Sequence, residues 1–233
     1  MKAMIMSAGK GTRLGEITRS MPKVLVDING KSLLQHAVEY CCSYGFDDII
    51  VNVHYLADMV EEEIKRINAK GFRISVSDER ELLLENGGGL YKARHFFDKN
   101  PFLVYNADIV TDLDLSLLLD LHLEKKALAT LAVRERPGSR FLLTDKDGVL
   151  RGWRNVSTGE EILKADSNEG LKSIGFSSCL LYTSDAADDL LCVDLGGRRI
   201  IKKKNLNLKA FFDTIVLYSP PTRFLLTLSS LSS

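Results

Sequence analysis

The sequence has no excess of charge of either sign: 31 basic residues balance 31 acidic ones, for a formal net charge of zero. A chain so balanced offers no electrostatic reason to bind nucleic acid or an anionic membrane surface. Any polyanion it holds is a small one, gripped by local geometry. No apolar run approaches the length of a membrane span. The apolar start, Met1 to Met6, is too short for a secretory leader and runs directly into Gly9 and Gly11. Spaced cysteine pairs are missing as well. Cys41 and Cys42 are adjacent in a helical pattern and Cys179 and Cys192 stand apart, which suggests neither a disulfide framework nor a zinc site. Core-filling cysteines in a reducing cytoplasm are expected.

What is present suffices for a core. With 233 residues, 45% of them hydrophobic, the chain has material for one large α/β domain or two small ones. Lys2 to Met6 reads as a short apolar strand entering a glycine loop. Ser32 is placed to cap a helix whose apolar positions Leu34, Ala37, Val38 and Cys41 follow helical spacing, with Gly45 at its end. Asp48 to His54 reads as a buried strand. Met59, Val60, Ile64 and Ile67 mark a second amphipathic helix that stops at Gly71, and Phe72 to Ser77 alternates as a strand. A loop holding Gly87, Gly88 and Gly89 is expected next, then a short helix near Tyr91 to Phe97. Phe102 to Tyr105 is a further strand, Leu115 to Glu124 a helix, and Ala127 to Val133 a strand.

Such alternation implies βαβ crossovers and a mostly parallel sheet covered on both faces. Ligands then bind beyond the carboxyl ends of the strands, where both the first glycine loop and Asp108 fall. From Arg140 the pattern changes. Phe141 to Thr144 and Val149 to Asn155 flank Asp145-Lys146-Asp147-Gly148, a hairpin turn signal, and predict a small appended β region beside the pocket. The expected fold class is α/β, a Rossmann-like three-layer sandwich with a mostly parallel central sheet and that small appended β region.

Gly9 and Gly11 let backbone N–H groups turn toward a ligand, a nest suited to phosphate oxygens near a helix start. Arg13 and Lys23 supply positive charge, and Pro22 stiffens the backbone before Lys23. Two familiar phosphate motifs do not fit. The P-loop needs an earlier glycine and a Gly-Lys-Ser/Thr end, and the dinucleotide fingerprint needs a third glycine where this chain has Leu14. A nicotinamide-dependent enzyme is disfavoured accordingly. Taken alone, Gly-x-Gly with nearby basic residues is equally a tight turn.

It is not alone. Ser-Ala-Gly-Lys-Gly-Thr-Arg followed by Met-Pro-Lys resembles the signature of the sugar-nucleotidyltransferases, the nucleoside-diphosphate-sugar pyrophosphorylases. The likeness continues through Glu85-Asn86-Gly87-Gly88-Gly89 and Asn106-Ala107-Asp108, over roughly residues 1 to 178, most closely to the compact branch with N-acetylmuramate-1-phosphate uridylyltransferases and mannose-1-phosphate guanylyltransferase-like proteins. Gly15 departs from the proline common there. The resemblance implies transfer of a nucleoside monophosphate from a nucleoside triphosphate to a sugar 1-phosphate, giving a precursor for cell-wall or polysaccharide synthesis and pyrophosphate. A phosphocholine-using relative is an alternative.

By that resemblance the backbone of Ala8, Gly9, Gly11 and Thr12 cradles the triphosphate. Arg13 stabilises the departing pyrophosphate and Lys23 bridges phosphates. Asp108 holds Mg2+ as a hard carboxylate ligand. Asn106 faces the nucleotide, and Gly87 and Gly88 let the base or ribose lie against bare backbone, although a simple loop explains the glycines equally. Trp153 and Asn155 belong to a sugar-binding wall, with strand-edge packing an equal reading for Trp153. His36, His54 and His122 carry no assigned chemistry, and Glu61-Glu62-Glu63 reads as a solvated helix face. The base, the sugar and the oligomeric state are not readable from the sequence.

From Cys179 onward the pattern breaks. Read back into codons, residues 179 to about 205 resemble translated sequencing adapter ending in a run of adenines; a divergent extension is the other reading. The expected division is therefore a nucleotidyltransferase core at 1–178 and a non-native tail at 179–233. The resemblance also implies a second magnesium-binding aspartate near the C-terminus. Asp194-Leu195-Gly196 imitates its context but lies within the suspect tail. A core lacking that carboxylate is expected to bind nucleotide and turn over poorly.

Overall fold

The computed structural model describes residues 1–9, 11, 16–134, 138–146, 149–163, 170–182 and 215–218. Strand β1 (Lys2–Met6) is apolar on both faces, with Ala3, Met4 and Ile5 fully buried, the signature of a central parallel strand. A short helix α1 (Ile17–Ser20), a 3-10 turn at Lys23–Leu25 and a two-strand ribbon of β2 (Asp27–Ile28) and β3 (Lys31–Ser32) follow. Helix α2 (Leu33–Ser43) starts where the sequence places its cap: Ser32 Oγ accepts the Gln35 N–H at 3.0 Å. It ends at Gly45, whose φ of +79° only glycine adopts cheaply.

Strand β4 (Asp48–Val53), helix α3 (Ala57–Asn68) and strand β5 (Arg73–Asp78) complete one side of the sheet. The acidic run on α3 is more than a solvated face. Glu63 accepts the Ser32 hydroxyl at 2.7 Å and Glu61 pairs with Arg80 at 2.8 Å, while Glu62 is exposed. Helix α4 (Glu85–Lys92), a 3-10 turn at Ala93–Phe96 and strand β6 (Phe102–Asn106) come next. Helix α5 (Leu115–Lys125) is capped by Asp114, which accepts the Ser116 N–H at 2.8 Å.

The remaining strands are β7 (Ala129–Arg134), β8 (Arg140–Thr144), β9 (Leu150–Asn155), β10 (Glu160–Leu163), β11 (Lys172–Tyr182) and β12 (Ile215–Tyr218). They join one ten-stranded sheet in the order β10-β9-β8-β11-β6-β1-β4-β5, with β7 beside β11 and β12 beside β7. The segment β6-β1-β4-β5 is parallel, and β11 to β10 run antiparallel. The appended region is thus continuous with the central sheet through β11, which pairs β8 from Lys172 and β6 as far as Tyr182, four residues beyond 178.

Strand periodicity divides the core in two. Ala3, Ile5, Ile49, Val51, Leu103 and Tyr105 pack with α2, α3 and α5 on one face. Met4, Ile50, Phe102 and Val104 pack with Leu90 and Ala93 on the other. The α4 segment therefore covers the second face, which makes the three layers the alternation predicts.

Candidate active site

Strands β1 and β6 lie side by side with Met6 opposite Asn106, and the Ala107 N–H donates to the Met6 carbonyl at 3.1 Å. Ser7 to Gly9 and Ala107 to Asp108 therefore leave the sheet together. The chain passes from β1 to β4 and β5 on one side, then returns to β6 on the other. A crevice opens at the carboxyl end of a sheet where the strand order reverses in this way.

Lys23 reaches that crevice from the 3-10 turn behind Pro22, whose φ is −56°. Its Nζ donates to Asp108 Oδ2 at 2.5 Å, across 85 residues of sequence. The pair is partly sheltered, with side-chain exposures of 12% for Lys23 and 33% for Asp108. Gly11 sits beneath Lys23 with a φ of +62°, and a Cβ there would lie 3.0 Å from Lys23 Cβ and 3.1 Å from Thr18 Cγ2. Only glycine satisfies both the backbone angle and the close approach. The far side of the loop is tied down by Thr18, whose Oγ1 donates to the Gly11 carbonyl at 3.1 Å. Tyr55 Oη in turn reaches the carbonyls of Thr18 and Arg19 at 3.0 Å each. Ala8 is buried, and beside the exposed Gly9 an added Cβ would meet nothing within 4 Å. Thr12, Arg13 and Gly15 lie outside the described residues.

The glycine run corrects an expectation. Gly87, Gly88 and Gly89 form no loop: they lie inside α4. A Cβ on Gly88 would stand 2.9 Å from Leu84 Cβ, and one on Gly89 2.6 Å from Glu79 Oε1. At these two positions the missing side chain serves close packing around the helix start. Gly87 is buried within the same turn.

Beneath α4 lies a hydrogen-bonded cluster that the sequence reading missed. Asn52 on β4 accepts the Ser7 N–H on Oδ1 at 2.7 Å and donates from Nδ2 to Glu79 Oε1 at 2.9 Å. The Ser7 hydroxyl donates to the Asn52 carbonyl. Glu79 is 1% exposed and its second oxygen accepts the Leu84 N–H at 3.2 Å. The one sequence signal was a polar residue inside the apolar run Ile49 to Val53.

Asn106 is half-buried at the end of β6, and its carbonyl accepts the Ile109 N–H at 3.2 Å. Trp153 is half-buried on β9 between Leu142 of β8 and Ile162 of β10. Asn155 is buried, and its Oδ1 accepts the Ser157 N–H at 3.1 Å. By register the first residues of β11 extend past the end of β6, so β8 and β9 stand beyond the carboxyl ends of the parallel strands. The four histidines make structural contacts: His36 with the Ile28 carbonyl, His54 with the Glu79 carbonyl, His95 with the Lys92 carbonyl, and His122 through Nδ1 with Thr130.

No cluster of three His, Cys, Asp or Glu side chains of metal-binding arrangement occurs among the described residues. Asp108 nevertheless suits magnesium. It is a hard carboxylate already facing a cationic group, and Mg2+ is often bound by one or two carboxylates together with substrate phosphates.

Residues 2–147 match the nucleotidyl transferase family. The chain belongs to that family. It is 33% identical over 186 residues to a UTP–glucose-1-phosphate uridylyltransferase of Synechocystis sp., covering 73% of this chain and 48% of the relative. It is 40% identical over 182 residues to an N-acetylmuramate alpha-1-phosphate uridylyltransferase of Caulobacter vibrioides, covering 77% of this chain and 72% of the relative. The chain thus spans about half the length of the first of these nucleotidyl transferases and nearly three quarters of the second. Among solved structures, HddC from Yersinia pseudotuberculosis shares the fold with a TM-score of 0.68 at 22% identity, over 94% of this chain and 89% of HddC. No helix among the described residues is long and apolar enough to cross a membrane.

Proposed function

We propose that this nucleotidyl transferase joins a nucleoside triphosphate to a sugar 1-phosphate. A phosphate oxygen of the sugar phosphate attacks the α-phosphorus, a new P–O bond forms, the α–β bridge breaks and pyrophosphate departs. The nucleophile is already an anion, so no general base is needed, and the protein's task is positioning and charge neutralisation. The observation that carries the reading is the Lys23–Asp108 pair at the mouth of the β1–β6 crevice. In this proposal Lys23 exchanges Asp108 for phosphate oxygens. Arg13 supports the leaving pyrophosphate, and the backbone of Ala8, Gly9, Gly11 and Thr12 donates to the triphosphate. Asp108 would hold Mg2+, which neutralises phosphate charge when bound. Asn106 and the α4 turn at Gly87 and Gly88 border the nucleotide, and Trp153 and Asn155 wall the sugar side.

The two relatives are named for transfer to glucose 1-phosphate and N-acetylmuramate alpha-1-phosphate, which supports a sugar-phosphate acceptor. We assign the catalytic core to 1–178 and the stretch 179–233 to a non-native tail, in a cytoplasmic protein. Codons that do not spell the adapter overturn the tail assignment. The activity is tested by incubating the full chain with Mg2+, the four common nucleoside triphosphates and a panel of sugar 1-phosphates while following pyrophosphate release. Release with one pairing supports the proposal. Triphosphate binding without release instead identifies a silent nucleotide-binding module. Asp108→Ala is expected to abolish turnover, and undiminished turnover refutes its role as metal ligand.

A further inference from the structure

Asn52 and Glu79 have no part in the chemistry just described, yet they are among the most expensive residues in the molecule to bury. Asn52 is 3% exposed and Glu79 1% exposed, under a helix and against an apolar sheet face. Groups of this kind are retained only where every polar atom finds a partner. Here the partners are arranged in one direction. Ser7 N–H needs an acceptor and Glu79 Oε1 needs a donor, so the Asn52 amide has a single orientation that serves both. Glu79 then passes its other oxygen to the N–H of Leu84, the residue that caps α4.

The two ends of this chain of bonds matter. Ser7 is the residue that leads β1 into Ala8 and Gly9, and Leu84 leads into the turn of Gly87 and Gly88. Gly89 lets the Glu79 carboxyl lie against the helix, since a Cβ would stand 2.6 Å from Oε1 and 3.1 Å from Asn52 Nδ2. The loop that would carry the phosphates and the helix that would border the base come from opposite sides of β4. They touch through Asn52 and Glu79.

We infer that Asn52 and Glu79 are positioning residues, a relay that fixes the glycine helix α4 against the phosphate loop and so sets the span available to a nucleotide. The inference rests on the nucleotidyl-transfer reading for its ligand, and on the hydrogen bonds alone for its mechanics. A purely space-filling role is met as well by apolar side chains of similar volume, which often replace buried polar groups without loss of stability. A relay instead depends on the direction of each bond.

That dependence gives the test. Glu79→Gln supplies one acceptor and one amide where two acceptors are needed, so it faces either Asn52 Nδ2 or the Leu84 N–H donor to donor. Asn52→Asp keeps the acceptor for Ser7 but sets two carboxyls together. The double variant Asn52→Asp/Glu79→Gln reverses the middle bond and satisfies every group again: the new amide at 79 donates to the new carboxyl at 52 and accepts from Leu84. On the full chain, each single substitution is expected to raise the KM for triphosphate about tenfold or more, and to leave the KM for sugar phosphate within about twofold. The double variant should return the triphosphate KM to within about threefold of wild type. Hydrogen exchange without nucleotide should quicken in both 1–9 and 84–92 in the single variants.

Single variants that lose denaturation midpoint while keeping the triphosphate KM overturn the inference, as does a double variant no better than the worse single. If the wild-type chain releases no pyrophosphate with any triphosphate, the functional reading fails and hydrogen exchange decides the relay. Joint quickening of both segments in Glu79→Gln supports it. Quickening of 84–92 alone refutes it.

Discussion

Replacing Gly89 by alanine sets two well-calibrated effects against each other. In an unconstrained helix interior, glycine to alanine stabilises by about 1 kcal/mol, because alanine restricts the unfolded chain and favours the helix. At position 89 the new methyl would stand 2.6 Å from Glu79 Oε1 and 3.1 Å from Asn52 Nδ2. A carboxyl tip ordinarily swings aside at little cost. This one is 1% exposed and bonded on both oxygens, at 2.9 Å to Asn52 and 3.2 Å to Leu84. Moving it strands a buried amide N–H or a backbone N–H, each worth about 1–3 kcal/mol when left unpaired. The packing conflict adds roughly 1–3 kcal/mol.

The balance predicts that Gly89→Ala destabilises by about 1–5 kcal/mol, despite its helix propensity. Urea denaturation followed by far-UV circular dichroism measures this, with the midpoint falling at unchanged slope. The background decides the cause. In a Glu79→Ala chain the 2.6 Å conflict is gone and only the approach to Asn52 Nδ2 at 3.1 Å remains, so adding Gly89→Ala there should cost far less than in the wild-type chain. If Gly89→Ala raises the midpoint of the wild-type chain, or lowers it equally in both backgrounds, the buried carboxyl is not what excludes a side chain at 89.

Other expectations follow from single contacts. Ser32→Ala removes both the cap on the Gln35 N–H and the donor to Glu63, and should cost about 1–2 kcal/mol by the same denaturation assay. Burial pushes the His122 imidazole below its ordinary value of 6.5, so the folded chain binds its proton less readily than the unfolded one. The stability tied to this group is present above 6.5 and lost as pH falls through the window below it. Wild type should therefore lose more denaturation midpoint than His122→Gln between pH 7.5 and pH 5.5, scale points about one unit either side of the histidine reference; parallel curves contradict the assignment. Gly11→Ala must leave a φ of +62° or push into Lys23 Cβ at 3.0 Å, and is expected to weaken triphosphate binding, measured by equilibrium dialysis.

Elements with strong local signals were legible in the sequence. Ser32, Gly45 and the apolar spacing between them define α2 with its cap and stop. The apolar runs at Lys2 to Met6 and Asp48 to His54 become adjacent parallel strands because neither has a polar face to show to water. The glycine run was misplaced for an equally physical reason. Three consecutive glycines carry a poor helix propensity, and a loop is the local optimum. Their helical state comes with close packing, of Gly88 on Leu84 one turn earlier and of Gly89 on Glu79 and on Asn52 of β4, and Asn52 lies far outside any window around residue 88. Strand β10 was also invisible, since Glu160 and Glu161 break any apolar alternation and the strand is held by pairing with β9.

The residues of the candidate site could be named from the sequence, but their assembly could not. Lys23 and Asp108 are 85 residues apart, and nothing in either neighbourhood says that they touch. They meet because β1 lies between β4 and β6, so the loop after β1 and the turn after β6 must share one crevice. A lysine in such a crevice needs a counter-charge when no phosphate is present, and Asp108 is placed to provide it. The same contact keeps the ammonium extended toward the crevice, with Gly11 beneath and Pro22 behind. In the proposed function, phosphate binding would then substitute one set of anionic oxygens for another, without ordering a free side chain from solution. Pre-organisation of this kind lowers the entropy lost on binding. It also explains why a solitary Gly-x-Gly says little in a sequence: its value lies in the residue that the missing Cβ allows to pass.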